Sequence, residues 1–397
     1  MIDFGIIGGG ISSLYTAYEL LKKEPKLNIV ILERNKHLGG RTWKEKFSHT
    51  KVVVGAGILR YTKDKLIIKL VNELNIPFTK SISSRHFILP FEVDIKHTYK
   101  KLLSVYNKNP SEYDRYTFKK FGTSILGSKL YNQFRTQSGY TDFDNQNVHD
   151  TLYNYGFDDN YLHQEVIYVD WTLLIGAIKD KLKSFENCKL YTNVNVKNII
   201  VDDLFTIVTN KKIYRCEKLV SGTDITSFHN LFSNLPKNIL SPYKIIKGQP
   251  FLLLYAKLAP ESVEIMKKYI KGFTVCNTEL NKIIPINPDD GVYLISYCDN
   301  KNALSLKPYV KNKNYLSKLL SKTLEIEDKI KILDLQHYYW ENGTHYHKPF
   351  LHLYSRKEFF DKIRNPIKNL YIVGEMVAEK QGWINGTLDT VKVKNYL

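Results

Sequence analysis

An apolar run at residues 4–7 leads directly into Gly8-Gly9-Gly10-Ile11-Ser12-Ser13. Apolar residues then recur at helical spacing as Ile11, Leu14, Tyr18 and Leu21, and a second apolar run, residues 28–32, ends on Glu33-Arg34. Neither run alternates with polar residues, so both read as parallel strands covered on both faces. Strand, glycine turn, helix and strand in that order restrict this stretch to a βαβ unit whose first turn can hold a dinucleotide. Gly8 makes the tight turn and Gly10 lets the backbone approach a pyrophosphate. The helix opening at Ile11-Ser12 offers that group unpaired N–H donors and the positive end of its dipole. Ser13 stands where the fingerprint has its third glycine, a position at which a small side chain still packs against a strand. Glu33, ~20 residues beyond the turn, is placed to accept bonds from ribose hydroxyls.

A second glycine turn follows in Leu38-Gly39-Gly40-Arg41-Thr42. Gly39 and Gly40 permit close backbone approach, and Arg41 adds a charge-assisted contact to phosphate. A simple nicotinamide enzyme has no need of this second phosphate contact, so the pair of turns favours FAD.

The combined pattern, residues 6–14, then Leu32-Glu33-Arg34, then residues 38–42, resembles the flavin-containing amine oxidases and their relatives, among them polyamine oxidases, protoporphyrinogen oxidase and phytoene desaturases. The likeness returns near the other end, in residues 369–375 with their Gly374-Glu375 pair and in Gln381-Gly382-Trp383-Ile384-Asn385-Gly386-Thr387-Leu388. The resemblance implies that Val194 packs against the adenine, that Glu375 bonds a cofactor hydroxyl, and that the last helix, opening at Ile384, points its N-terminus at the flavin. It also implies aromatic side chains flanking the flavin: Trp383 at one position, Tyr346 at the other, with Trp340 just upstream of the latter. Members with covalent flavin carry a cysteine near the position of Tyr346; His345 is there instead, so the FAD is expected to be non-covalent. Many members also place a lysine on a central strand. The comparable stretch here, residues 248–255, has none; Leu252 is expected at the spot, with Lys244 and Lys247 just before it.

The resulting expectation for the fold is α/β: a Rossmann-like, two-dinucleotide-binding FAD domain with an inserted α+β substrate domain. Residues 1–80, 185–235 and 365–397 are assigned to the FAD domain and residues 81–184 and 236–364 to the substrate domain. The length of 397 residues allows two or three domains. No apolar stretch approaches the ~18–20 residues needed to cross a bilayer, and neither end carries a targeting or lipidation signal, so the expected location is cytoplasmic with no membrane anchor. Cys188, Cys216, Cys276 and Cys298 have neither disulfide nor zinc spacing. His345, His347 and His352 lack a carboxylate or cysteine at metal-ligand spacing, so no metal is expected. The net charge of +18 suits a nucleic acid or other polyanion, but the lysines are scattered, as translation of an AT-rich genome would leave them. Asp158–Asp159, in the helical insertion, are placed to line a substrate entrance.

The function expected from the residues and the resemblance together is oxidation of a small-molecule amine, by hydride transfer to flavin and reoxidation by oxygen. Two alternatives stay open. One is a flavin-dependent desaturase, porphyrinogen-type oxidase or mutase acting on a non-amine substrate. The other is a catalytically degenerate FAD-binding protein with a structural or interaction role.

Overall fold

The computed structural model describes residues 1–157 and 164–397. Asp158–Asp159 lie outside the described residues. Among those described, seven strands form the first sheet. Ile2–Ile7 sits at its centre, parallel to Ile29–Leu32 on one side and to Ile213–Ser221 on the other. Cys188–Tyr191 extends the sheet beyond Ile29–Leu32, and Leu370–Ile372 adds a parallel strand against Ile213–Ser221. An antiparallel meander of Val196–Val201 and Phe205–Thr209 completes it, with Lys211–Lys212 in the hairpin turn.

Both faces of this sheet are covered, which is why its parallel strands read as unbroken apolar runs. On one face Phe4, Ile6, Ile29 and Ile31 pack against helices Ile11–Lys23 and Trp171–Lys183, through Leu14, Ala17, Leu21, Leu174 and Ile178. On the other, Ile7, Val30 and Leu32 meet Phe228, Tyr243, Phe350 and Phe359. The two cores redraw the expected boundaries. Helix Trp171–Lys183, assigned from the sequence to the substrate domain, is the crossover feeding Cys188–Tyr191 into the first sheet. Tyr243, Phe350 and Phe359, from the other substrate segment, likewise belong to the first sheet's packing.

Six strands form the second sheet, in the order Ile332–His347, Ile246–Leu258, Val292–Asp299, Lys282–Asn287, Phe273–Cys276, Arg85–Ile88. All neighbours are antiparallel except the last pair. Helices Pro260–Tyr269, Asn300–Leu306 and Lys313–Leu324 cover one face through Met266, Leu306, Leu316 and Leu320. The segment between the sheets carries Ile95–Lys108, Phe118–Ser138 and Val148–Tyr153 around an aromatic core of Phe118, Phe121, Tyr131, Phe134, Phe143 and Phe157.

One buried ion pair ties this framework to the cavity described next. Arg60 donates to Asp64 at 2.7 Å, with Asp64 fully buried, and its guanidinium lies 3.6 Å from the Trp383 ring centroid. Asp64→Ala removes the buried carboxylate of this pair. The expected loss is about 3–5 kcal/mol of stability, measurable as a lower urea midpoint.

Candidate cofactor and substrate cavity

A cavity of about 780 Å³ runs from the glycine turn of the first sheet to the second sheet. Of the residues assigned from the sequence, Gly8, Gly10, Ser12, Glu33, Arg34, Gly40, Arg41, Val194, Glu375, Trp383 and Ile384 line it; Ser13 and Tyr346 do not.

At the first end, Gly8 has φ +92° and donates its N–H to the Leu32 carbonyl at 2.9 Å, a left-handed turn suited to glycine. Gly10 is different. Its φ of −72° and ψ of 167° are open to any residue, and a Cβ there would meet no protein atom within 4 Å. The protein's own packing does not require glycine at this position. An open face at the N-terminus of helix Ile11–Lys23, where no side chain caps the helix, is what close approach of a phosphate requires. Ser13 is buried off the cavity lining, packed so close to Gly222 that a Cβ there would come within 2.1 Å of its Oγ. The second turn is joined to the first by the Gly39 N–H donating to Gly9 O at 2.8 Å.

Glu33 does more than face the cavity. Its Oε2 accepts the Gly9 N–H at 2.6 Å and its Oε1 the Asn35 N–H at 2.7 Å, so one carboxylate locks the glycine turn to the end of the second strand. Arg34 is exposed at the rim, 3.9 Å from Asp224. The sequence reading missed Lys197, Gly222, Thr223 and Asp224, which also line this end. A glycine directly after the strand Ile213–Ser221 was the available signal.

Glu375 is the node between the two ends. Its Oε1 accepts the N–H groups of His345 at 2.9 Å and Gly382 at 3.0 Å; its Oε2 lies 2.5 Å from His345 Nδ1 and 3.4 Å from Arg41. The Ile225 N–H donates to His345 Nε2 at 3.3 Å, which leaves the ring proton on Nδ1, donated to the carboxylate. Burial alone would raise the Glu375 carboxyl; His345 and then Arg41 outweigh it and hold the group down at about 2. Arg41 also donates to the Gly343 carbonyl. The resemblance assigned Glu375 to a cofactor hydroxyl; here its oxygens also anchor the strand carrying His345 and the turn carrying Trp383.

At the other end the walls are Phe251, Leu253, Tyr297, Trp340 and Trp383. Trp340 Nε1 donates to Val54 O at 2.7 Å and Trp383 Nε1 to Tyr155 O at 3.3 Å. Two sequence assignments need correction. Leu252 is fully buried among Met266, Ile295 and Leu316, and the cavity-facing positions of its strand are Phe251 and Leu253. Tyr346, expected as the second flanking aromatic, lies off the lining; its strand lines the cavity through residues 340–344, Trp340 among them. Tyr346 pairs with Lys247, outside the lining, whereas Trp340 pairs with Phe251, inside it, and the pairing is irregular between Gln249 and Phe251. Gly343 permits the close crossing, since a Cβ there would come within 2.4 Å of Phe251 Cβ.

Lys244 and Lys247 do not line the cavity, and no cysteine does; Cys188, Cys216, Cys276 and Cys298 are free and buried. His345 turns to Glu375, His347 to Asp150 at 3.2 Å, and His352 to the Asp114 carbonyl at 3.3 Å. Among the described residues no three His, Cys, Asp or Glu side chains gather as metal ligands, and no helix is long and apolar enough to cross a membrane.

Residues 6–74 match the model of the NAD(P)-binding Rossmann-like domain. The uncharacterized protein R188 of Acanthamoeba polyphaga mimivirus is 20% identical over 98% of this chain and 92% of its own length. A short stretch, 14% of this chain and 12% of the other, is 45% identical to the mitochondrial L-2-hydroxyglutarate dehydrogenase of Dictyostelium discoideum. Two solved structures from a redesign of cofactor binding in putrescine oxidase superimpose with a TM-score of 0.75 each, at 12% and 13% identity, covering 99% of this chain and 97% of theirs. This chain has the fold of putrescine oxidase along nearly its whole length, opening on a Rossmann-like dinucleotide-binding segment.

Proposed function

We propose that the protein is an FAD-dependent oxidoreductase of the amine-oxidase type, holding FAD non-covalently and oxidising a small amine. The observation that carries this reading is one continuous cavity. It has the open helix N-terminus at Gly10 and the Glu33 carboxylate at one end, and walls of Trp340, Trp383, Phe251 and Tyr297 at the other. The residues fit the group. Gly8, Gly10, Gly40 and Arg41 would hold the diphosphate, Glu33 the ribose, Val194 the adenine, and Trp383 and Ile384 the flavin end. The absence of a lining cysteine accords with non-covalent binding. When bound, the flavin supplies the hydride-accepting centre. The protein's share is then to orient a substrate C–H bond between aromatic walls and to keep water out. The Trp340 ring suits an ammonium or an apolar amine through its electron-rich face, while the Trp383 ring already carries the Arg60 guanidinium.

A second reading keeps FAD and changes the substrate. The cavity-facing positions of the strand Ile246–Leu258 are the apolar Phe251 and Leu253, with no lysine among them, which favours a desaturase, porphyrinogen-type oxidase or mutase on a non-amine. Anaerobic addition of putrescine and benzylamine to the FAD-loaded protein separates the two. Bleaching of the visible flavin band and peroxide on readmission of oxygen support amine oxidation. An intact band with both amines, in protein that dithionite still reduces, contradicts it. Failure to be reduced by any candidate donor would indicate an FAD-binding protein without turnover.

A further inference from the structure

Behind the aromatic wall lies a buried charged cluster that the proposed chemistry does not use. Lys282, on the strand Lys282–Asn287, is fully buried and donates to the Gly139 carbonyl. Its ammonium lies 3.6 Å from the Tyr140 ring centroid and 4.5 Å from that of Tyr297, the ring that lines the cavity beside Phe251. The acidic members are placed by other bonds. Asp299 accepts from the Thr141 N–H, the Thr141 hydroxyl and the Asp142 N–H, each at 2.8 Å. Asp142 is hydrogen-bonded to the Tyr155 hydroxyl, and the Tyr155 carbonyl in turn holds Trp383. Among the described residues Lys282 has no carboxylate within ion-pair distance; ring faces and a carbonyl receive its charge.

Burying a lone ammonium costs several kcal/mol, and a methionine would fill the same space without that cost. The cation stacks on two rings, one of them a wall of the cavity, and a desolvated cation–π contact is strong enough to fix a ring. We propose that Lys282 is a positioning residue: its ammonium pins the Tyr297 ring at the cavity wall, so that the charge state of the Lys282–Asp142–Asp299 cluster sets the shape of the surface facing the flavin end. The functional part of this inference rests on the flavoprotein reading above; the hold on Tyr297 does not.

The cluster is poised to change charge near physiological pH. Burial lowers Lys282 to about 8, against the attraction of Asp299 and Asp142, while the Cys298 thiol and Arg85 act on it more weakly. Burial, followed by repulsion from Asp299, raises Asp142. Burial first, and then neighbouring groups, keeps Tyr155 and Tyr297 protonated well into alkaline pH, so neither ring ionises in the same window. Below the Lys282 pKa the cation is present and Tyr297 is held; as pH rises through it the cation is lost and the ring is released.

The near-ultraviolet circular dichroism of the wild-type chain minus that of Tyr297→Phe isolates this ring. Recorded from neutral to alkaline pH, the difference is expected to show a transition near pH 8. The same subtraction in a Lys282→Met background should show none, and in a Lys282→Arg background the neutral-pH signal should persist throughout. In FAD-loaded protein the visible dichroism should follow the same pattern. A transition that survives Lys282→Met, or a wild-type difference spectrum that does not change with pH, overturns the inference. Should Lys282→Met not fold, Lys282→Gln serves: it removes the cation and must abolish the transition, and a transition that persists is equally fatal. Protein that takes up no FAD yet shows the Tyr297 transition refutes the flavoprotein reading alone; protein that binds FAD without the transition refutes the role of Lys282 alone.

Discussion

Replacing Glu375 by alanine is expected to unsettle both ends of the cavity at once. The substitution leaves the His345 and Gly382 N–H groups, the His345 Nδ1–H and the Arg41 guanidinium without the carboxylate they share. Removing one partner from such a buried set costs about 3–5 kcal/mol. Glu375→Gln, which keeps the shape and one acceptor, should cost less, about 1–3 kcal/mol. Urea midpoints in that order check the claim; equal midpoints for wild type and Glu375→Ala would contradict it. The same group gives a signed pH dependence. Its carboxyl is held at about 2, below the ordinary 4.5. A depressed folded-state value means stability that is present above pH 4.5 and lost as pH falls from there toward 2. In Glu375→Gln that acid-side loss should be smaller, read as a flatter dependence of the urea midpoint on pH over this window.

Gly10→Ala is expected to do the reverse: spare the fold and weaken ligand binding. The backbone there suits alanine, and the added Cβ meets no protein atom within 4 Å, so stability should stay within about 0.5 kcal/mol of wild type. FAD affinity should fall roughly tenfold or more, ~1.4 kcal/mol at least, because the methyl group stands in the cavity at the helix N-terminus. Gly39→Ala is the contrast. Gly39 has φ +99°, and a Cβ there would lie 2.5 Å from the Thr42 carbonyl oxygen, so this variant should lose roughly 1–3 kcal/mol of stability as well as the ligand. FAD titration beside a urea melt distinguishes them. A Gly10→Ala protein that binds FAD as tightly as wild type would mean that the opening is not a phosphate site.

The first sheet was legible in the sequence because its chemistry is local. Burial on both faces writes unbroken apolar runs at 4–7 and 28–32, and the turn between them needs its glycines within a few residues of one another. Glu33 was legible for the same reason, although its grip on the Gly9 N–H was not. The far walls were not legible, because a single residue of register decides which face a strand side chain takes, as with Phe251 and Leu253 against Leu252, and because distant elements set how far along a strand the cavity reaches: Trp340, opposite Phe251, is inside it and Tyr346, opposite Lys247, is outside. Helix Trp171–Lys183 was given to the wrong layer, since its apolar stripe states that one face is buried but not against what. The cluster of Lys282 with Asp142 and Asp299 joins residues far apart in the chain, and three charged residues read one at a time look like surface.

The central claim is that the two glycine turns, Glu33 and the Glu375 node enclose one FAD. The most direct test is the visible absorption spectrum of the purified chain after incubation with FAD and gel filtration, with the cofactor quantified after denaturation. The expected result is a flavin spectrum that travels with the protein at one FAD per chain and is released intact on denaturation, as non-covalent binding requires. A folded protein that elutes colourless, with all added FAD in the small-molecule fraction, would contradict it.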